Sequence, residues 1–399
     1  MTGPAPAPTP NQSPPDRADV VVVGLGAWGS TALWRLAARG IRAVGIEQHQ
    51  VGHALGSTHG TTRLFREACL EHPGLGVVAG RARELWRDLE SASGTELLRL
   101  SGGLMSGPAD GRVVAGSRAA AAEAGLVTTD LTSAEAKERF PAYAHLPEDH
   151  VGLWDPGAGI ARPEAGVRAA VEAAQALGAR VLTGTRVTDI EETGDGVGVG
   201  LAGGGRILAD RVIVTAGAWT TRLLEMPLRP RRVPMFWFRG RDAHALADDL
   251  ALDRFPVFIR ELPDGRVLWG HGADERSGFA VKIGLDDDGG DSLGFADADP
   301  DHLDRAINLP RDAAALSAAV GEAFDLVDPQ PVEAVACMYT RAPDGLFHVG
   351  ALPGRGRIVV GAGDSGHGHK HAPAIGELLA QVATGEPTFT PIDYLAPSR

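Results

Sequence analysis

The 399 residues carry 51 acidic and 38 basic side chains, a formal charge of −13, and only two cysteines, Cys69 and Cys337. That length implies two domains or one large one with ample core. The charge argues against nucleic acid or an anionic membrane as partner, and two cysteines make no disulfide framework and fit a reducing compartment.

Residues 1–18 are rich in Pro, Ala and polar groups and read as a disordered tail. They lack the basic and apolar regions of a secretory signal, and no apolar run in the chain reaches membrane-spanning length, so a cytoplasmic protein is expected. Val20 to Val23 form a β-branched run that predicts a buried strand. Gly24, Gly26 and Gly29 follow as G-x-G-x-x-G, then apolar residues at helical spacing (Ala32, Leu33, Leu36, Ala37) and a stop at Gly40. A second short strand, Arg42 to Ile46, ends in Glu47. A strand-to-helix turn without side chains lets a pyrophosphate rest on the N–H groups at the helix start, and an acid at the end of the second strand accepts from a ribose hydroxyl. This favours FAD or NAD over NADP and does not choose between the first two.

Gly56-Ser-Thr-His-Gly-Thr-Thr-Arg-Leu-Phe-Arg66 comes next, a loop dense in glycine, hydroxyls and charge where such folds face their ligand. Arg63 and Arg66 are three apart and would share a face on a helical turn, where two cations could hold a carboxylate or balance an anionic cofactor; a pair of surface arginines is the alternative. Residues 77–98 carry a helical pattern, and 99–155 read as an excursion into another domain. Arg162 to Leu177 predicts a helix with Pro163 in its first turn. Short strands follow at Arg180 to Leu182, Val187 to Glu191, Gly196 to Leu201 and Ile207 to Val214, the last running into small residues that let the backbone approach a cofactor.

Residues 228–338 change to β-like runs (Val233 to Arg239, Pro256 to Arg260, Arg266 to Gly270, Phe279 to Gly284) separated by acidic, Gly-rich turns such as Asp286 to Asp291, with a helix expected at Ala313 to Phe324. The C-terminal part returns to a short buried strand, Arg357 to Gly361, then Gly363-Asp-Ser-Gly-His-Gly-His-Lys-His371 and a helix from Pro373 to Ala383. This second Gly-rich turn implies a second contact to the same cofactor. His367, His369 and His371 alternate, and on a strand they would face one side and could ring a zinc ion. The glycines predict a loop instead, and no Cys or carboxylate cluster completes a shell, so no metal is expected.

Three blocks together resemble the monomeric sarcosine oxidase and N-methyltryptophan oxidase family of D-amino-acid-oxidase-like flavoproteins: the nucleotide fingerprint, Gly56 to Arg66, and Cys337-Met-Tyr-Thr340 with Ser365-Gly-His-Gly-His-Lys370. The expected fold is α/β, an FAD-binding Rossmann-like domain of the glutathione-reductase type (residues 19–96, 160–227 and 339–385). It is joined to a discontinuous α+β substrate domain on a large mixed or antiparallel sheet (97–159, 228–338 and 386–399). The resemblance implies a flavin attached through Cys337 by a thioether, a substrate carboxylate held by Arg66 and Lys370, Arg63 and His59 beside the flavin ring, and Lys282 as an oxygen-activating lysine. It also implies cofactor contacts at Gly24, Gly26, Gly29, Glu47, Ser57, Thr58, Arg63, Val187, Cys337, Met338, Gly366, His367, Gly368 and Lys370. The chain departs from the family at Asp364 and His369, where aromatic residues are usual, at Asp286, which replaces a histidine, and at Trp269, where a tyrosine is common. A more polar pocket rim follows.

The activity implied is oxidation of a secondary α-amino acid, with FAD taking a hydride and molecular oxygen taking the electrons, in a chain acting as a monomer. A sugar-modified amino acid or a biosynthetic amine is the variant of that reading. An FAD- or NAD-dependent dehydrogenase that avoids oxygen, and a flavin-binding protein without catalysis, are the readings of different class.

Overall fold

The computed structural model describes residues 13–242, 249–275, 280–286 and 294–398. Residues 1–12 of the expected tail and 287–291 of the acidic turn lie outside them. The tail is shorter than expected: the first strand is Arg17–Val23, and its outer end is tied by the pairing of Arg17 with Leu208 and an Arg17–Asp210 ion pair.

Two large sheets organise the chain. The first runs in the order Val187–Thr193, Gly196–Leu201, Arg206–Val214, Arg17–Val23, Ala43–Ile46, Arg180–Leu182, with Arg355–Ala362 also paired to Arg206–Val214 and to His348–Leu352. Its centre is parallel. Such a centre must be covered on both faces, and the valine run does this by alternation. Val20 and Val22 pack into one apolar cluster, Val21 and Val23 into another across the sheet. Burying such a side chain is worth roughly 1.5–3 kcal/mol.

One face carries the helices Ala27–Ala37, Pro163–Ala176 and Ala372–Thr384, with Leu75–Ser93 beside them. Glu377 of the last helix accepts from Arg35 of the first and from Arg39 just past its end, which ties these distant segments together. The helical pattern seen over 77–98 stops at Ser93, because Gly94 takes a left-handed conformation (φ +66°) that caps it.

The second sheet is mixed. It contains Arg229–Phe238, Val281–Leu285, Val267–His271, Val257–Glu261, Gly103–Pro108 and His150–Asp155, and only the pairing of Val257–Glu261 with Gly103–Pro108 is parallel among these. Helix Ala314–Ala323 and the rings of Tyr143, Phe255, Phe258 and Phe324 cover it. Strand Glu333–Arg341 pairs with Arg229–Phe238 along its whole length and carries Cys337 towards the first sheet. A small third sheet joins Arg63–Phe65, Gly159–Ala161 and Leu98–Leu100. Arg162 locks the two halves together through a buried two-pronged contact to Asp274 (2.6 and 2.8 Å).

Candidate active site

A cavity of about 670 Å³ runs from the G-x-G-x-x-G turn to the second sheet. At its first end the fingerprint has the geometry that its glycines require. Gly24 has φ +88°, and a Cβ there would sit 2.7 Å from the Thr215 carbonyl. A Cβ on Gly29 would lie 1.8 Å from the Gly24 carbonyl, so helix Ala27–Ala37 can approach its own turn only with glycine there. At Gly26 the nearest atom to such a Cβ is Thr58 Oγ1 at 3.7 Å, which leaves the cavity side open; the N-cap glycine has no side chain to cap the helix, and only a long contact from Ala27 N to Thr58 Oγ1 (3.4 Å) touches its first turn. Its first N–H groups therefore suit a pyrophosphate.

Glu47 is buried beyond this turn and accepts from the N–H of Leu25 and of His49, both at 2.9 Å. Burial alone would raise its carboxyl; His53 and these N–H groups outweigh it and keep the group ionised, as a ribose acceptor requires.

The cavity is also lined by Ser57, Thr58, Arg63, Val187, Cys337, Gly366, His367 and Gly368. The Cys337 thiol is buried, 3.9 Å from Arg63 Nη2 and 3.9 Å from the Ser57 carbonyl. Burial pushes the thiol up, and the Arg63 guanidinium works against it. Strand alternation turns Met338 away, and Met338 does not line the cavity. Neither do Gly29, inside the helix, and His59, which is buried with Nε2 lacking a hydrogen-bond partner among the described residues. Burial first, then Arg63 and Lys282, drive His59 down to about 3, so its ring is neutral.

Arg63 and Arg66 stand on and just after a strand, not on a helical turn. Residues three apart on a strand point to opposite sides. Arg63 reaches towards Ser57 and Cys337; Arg66 turns to the Ala68 carbonyl and Glu71. Both still line the cavity. Lys370, from the 3₁₀ turn His369–His371, meets the same carboxylate at 3.5 Å and donates to the His367 carbonyl at 3.1 Å. Glu71 thus joins two buried cations drawn from distant segments. Burial would raise its carboxyl; Arg66 and Lys370 hold it well below the usual range.

Lys282, in strand Val281–Leu285, lies on the cavity wall, 5.1 Å from the centre of the Trp237 ring. Its ammonium donates to the carbonyls of Gly60 (3.1 Å) and Thr62 (3.0 Å). Burial, then Arg63, push it well below the ordinary lysine range.

The three alternating histidines do not share a face, because the 3₁₀ turn breaks the alternation. His367 Nε2 meets the Gly345 carbonyl, His369 lies against Trp86, and buried His371 approaches Cys69. No group of three or more His, Cys, Asp or Glu among the described residues could hold a metal ion. Of the departures, Asp286 stands at the cavity mouth and pairs with Arg112 at 2.8 Å, whereas Asp364 is part of the inner wall, accepting from Thr340 N and Gly366 N. Burial raises Asp364 to about 6.

A cavity that is lined by a glycine fingerprint and by buried cations is what a bound FAD needs, and the family comparison decides the matter. Residues 19–382 match the family model described as FAD dependent oxidoreductase. The chain belongs to that family. This FAD dependent oxidoreductase is 32% identical to a monomeric sarcosine oxidase of Bacillus sp. (strain B-0618), over 92% of each chain. It is 29% identical to an N-methyl-L-tryptophan oxidase of Citrobacter koseri, over 93% of this chain and 96% of that one. Among solved structures, NikD, an unusual amino acid oxidase essential for nikkomycin biosynthesis, shares the fold with a TM-score of 0.79 at 24% identity, covering 96% of this chain and 98% of NikD. A glycine oxidase from Geobacillus kaustophilus does so with 0.76 at 20%, covering 96% and 99%. The protein is an FAD-dependent amine oxidase of the sarcosine oxidase-like kind, acting on CH–NH donors. Among the described residues no helix is long and apolar enough to cross a membrane.

Sequence reasoning passed over Glu71, Glu164, His271 and Arg112. None belongs to a motif. Each gains its meaning from a partner distant in the chain, and the only local hint for Glu71 is an acid a few residues after a cation.

Proposed function

We propose that this protein oxidises a secondary, N-alkyl α-amino acid whose carboxylate is gripped by Arg66 and Lys370. One observation carries the reading: two buried cations, 304 positions apart, already converge on a single carboxylate, that of Glu71, in the wall of the cofactor cavity. A substrate acid group would take over these contacts as Glu71 withdraws, and the planar Arg66 fork would give it a fixed orientation. Orientation of the reacting C–H is a large share of the barrier reduction. The surrounding positive field disfavours an ammonium and so keeps the amine neutral, the form that can lose a hydride.

FAD, when bound, supplies the acceptor for a hydride from the carbon next to nitrogen and the route of its electrons to oxygen, giving imine and hydrogen peroxide. Cys337 is the attachment point we assign to the flavin; its place on the cavity wall between Arg63 and Ser57 supports this. Arg63 would flank the ring, with neutral His59 buried behind the cavity wall. Lys282 would hold a positive charge where oxygen is reduced. We take residues 19–96, 160–227 and 339–385 as the FAD-binding part and 97–159, 228–338 and 386–399 as the substrate part.

The test is anaerobic bleaching of the purified yellow protein by a panel of N-alkyl and sugar-modified amino acids, each beside its methyl ester. Bleaching by acids but not by esters, with peroxide released in air, is expected. Bleaching without peroxide would favour a dehydrogenase. A protein that no amine bleaches would refute the reading in favour of flavin binding alone.

A further inference from the structure

Only three of the 38 basic residues are lysines, Lys137, Lys282 and Lys370, and two of them line the cavity. Among the described residues Lys282 makes no ion pair of its own. Its contacts go to the backbone of one tight turn, Gly60-Thr61-Thr62, where Thr62 N donates to the Gly60 carbonyl at 2.7 Å. Gly60 has φ +94° and Thr61 φ +62°. A left-handed conformation is costly for a β-branched residue and persists only where the surroundings enforce it.

Glu164 is what enforces it. Its Oε1 accepts from Gly60 N at 2.7 Å and from Thr61 N at 3.4 Å. Two successive N–H groups aimed at one anion make a small nest. Glu164 sits in the first turn of helix Pro163–Ala176, where the helix dipole favours an acid. The other end of the turn is also held: Thr62 Oγ1 meets His271 Nε2 at 2.8 Å, and His271 Nδ1 lies 2.7 Å from the Gly272 carbonyl. Nδ1 therefore carries the proton, and the threonine hydroxyl donates to Nε2. His271 is the cross-strand neighbour of Lys282.

The turn is thus polarised. Its N–H groups face a carboxylate on one side, and its carbonyls face an ammonium on the other. Glu164 does not line the cavity. The two carbonyls engage two N–H groups of Lys282 Nζ, and the residue lines the cavity.

We propose that Glu164 is a positioning residue for Lys282: through the Gly60–Thr62 turn it fixes where the lysine ammonium stands on the cavity wall. The consequence for catalysis rests on the oxygen-activating reading of Lys282; the positioning itself does not.

Three lysines make the experiment tractable. The flavin-loaded enzyme labelled with nitrogen-15 at lysine Nζ gives at most three side-chain signals, and Lys282→Met identifies the one concerned. In Glu164→Ala the Lys282 signal should shift or broaden while that of Lys370 stays. Reoxidation of the reduced flavin by oxygen should slow roughly ten-fold, the scale of losing part of one oriented charge. Anaerobic reduction by substrate should change less than about two-fold, since Glu164 touches neither Arg66 nor Lys370. Glu164→Gln, which keeps an acceptor but not the charge, should lie between, and it serves if the alanine variant does not fold. The double variant with Lys282→Met should be no slower than Lys282→Met alone. An unmoved Lys282 signal, or additive effects in the double variant, would overturn the proposal. If Lys282→Met itself reoxidises normally, the oxygen role of Lys282 fails, and the Lys282 signal still decides the positioning.

Discussion

Replacing Glu71 by glutamine tests how the cavity recognises an acid. Glu71 occupies the grip of Arg66 and Lys370, so any substrate carboxylate must first displace it. The Arg66 contact is short and buried, whereas the Lys370 contact, at 3.5 Å, adds little. Glutamine keeps an acceptor for Arg66 but loses the charge, a difference of about 1.4 kcal/mol, so the substitution should tighten carboxylate binding by roughly 10-fold.

Two opposing effects follow from the same geometry. Glu71→Gln leaves buried cations uncompensated, which costs on the order of 3 kcal/mol of folding stability in the ligand-free protein. Lys370 is already lowered by burial and kept up by Glu71. Without Glu71 it sheds its proton more easily, and the affinity gain must shrink as pH rises. The assay is flavin absorbance titrated with propionate, against 1-propanol as control, at pH 6.5 and 8.5, together with thermal melting. A lower melting temperature is expected, with tighter propionate binding that is larger at the lower pH. Unchanged melting with equal or weaker propionate affinity would refute the idea that Glu71 holds the substrate's place.

Three more outcomes are expected. Acid-precipitated wild-type protein should keep its yellow colour in the pellet, and Cys337→Ala should release it to the supernatant; colour retained in the variant's pellet would exclude that thiol as the anchor. Gly29→Ala should purify with little bound flavin and lose about 1–3 kcal/mol of stability, because its Cβ would meet the Gly24 carbonyl at 1.8 Å; a fully yellow variant of wild-type melting temperature would contradict this. Asp364, raised by burial from 3.8 to about 6, binds its proton more tightly folded than unfolded, so its contribution to stability is greatest below pH 4 and is lost as pH rises to 6. The stability of Asp364→Asn relative to wild type should therefore improve between pH 4 and 7, by at most about 3 kcal/mol, as melting curves across that range can check.

The nucleotide-binding end was legible in the chain because its causes are local. Four β-branched residues, three glycines and an acid at the end of the next strand act within 30 positions, and Gly24, Gly29 and Glu47 stand where that logic puts them. The reacting end obeyed no such rule. Spacing made Arg63 and Arg66 partners on a helix, yet the chain there is a strand, because Gly159–Ala161 offered it hydrogen bonds that no neighbouring residue announces. The histidines alternate in the sequence but part company on a 3₁₀ turn. Glu71 and Glu164 look like ordinary acids until Lys370 and the Gly60 turn are brought to them from hundreds or scores of positions away. Periodicity and turn chemistry report short-range steric preferences. Which charges share a buried space depends on how two sheets pack, and only the folded chain decides that.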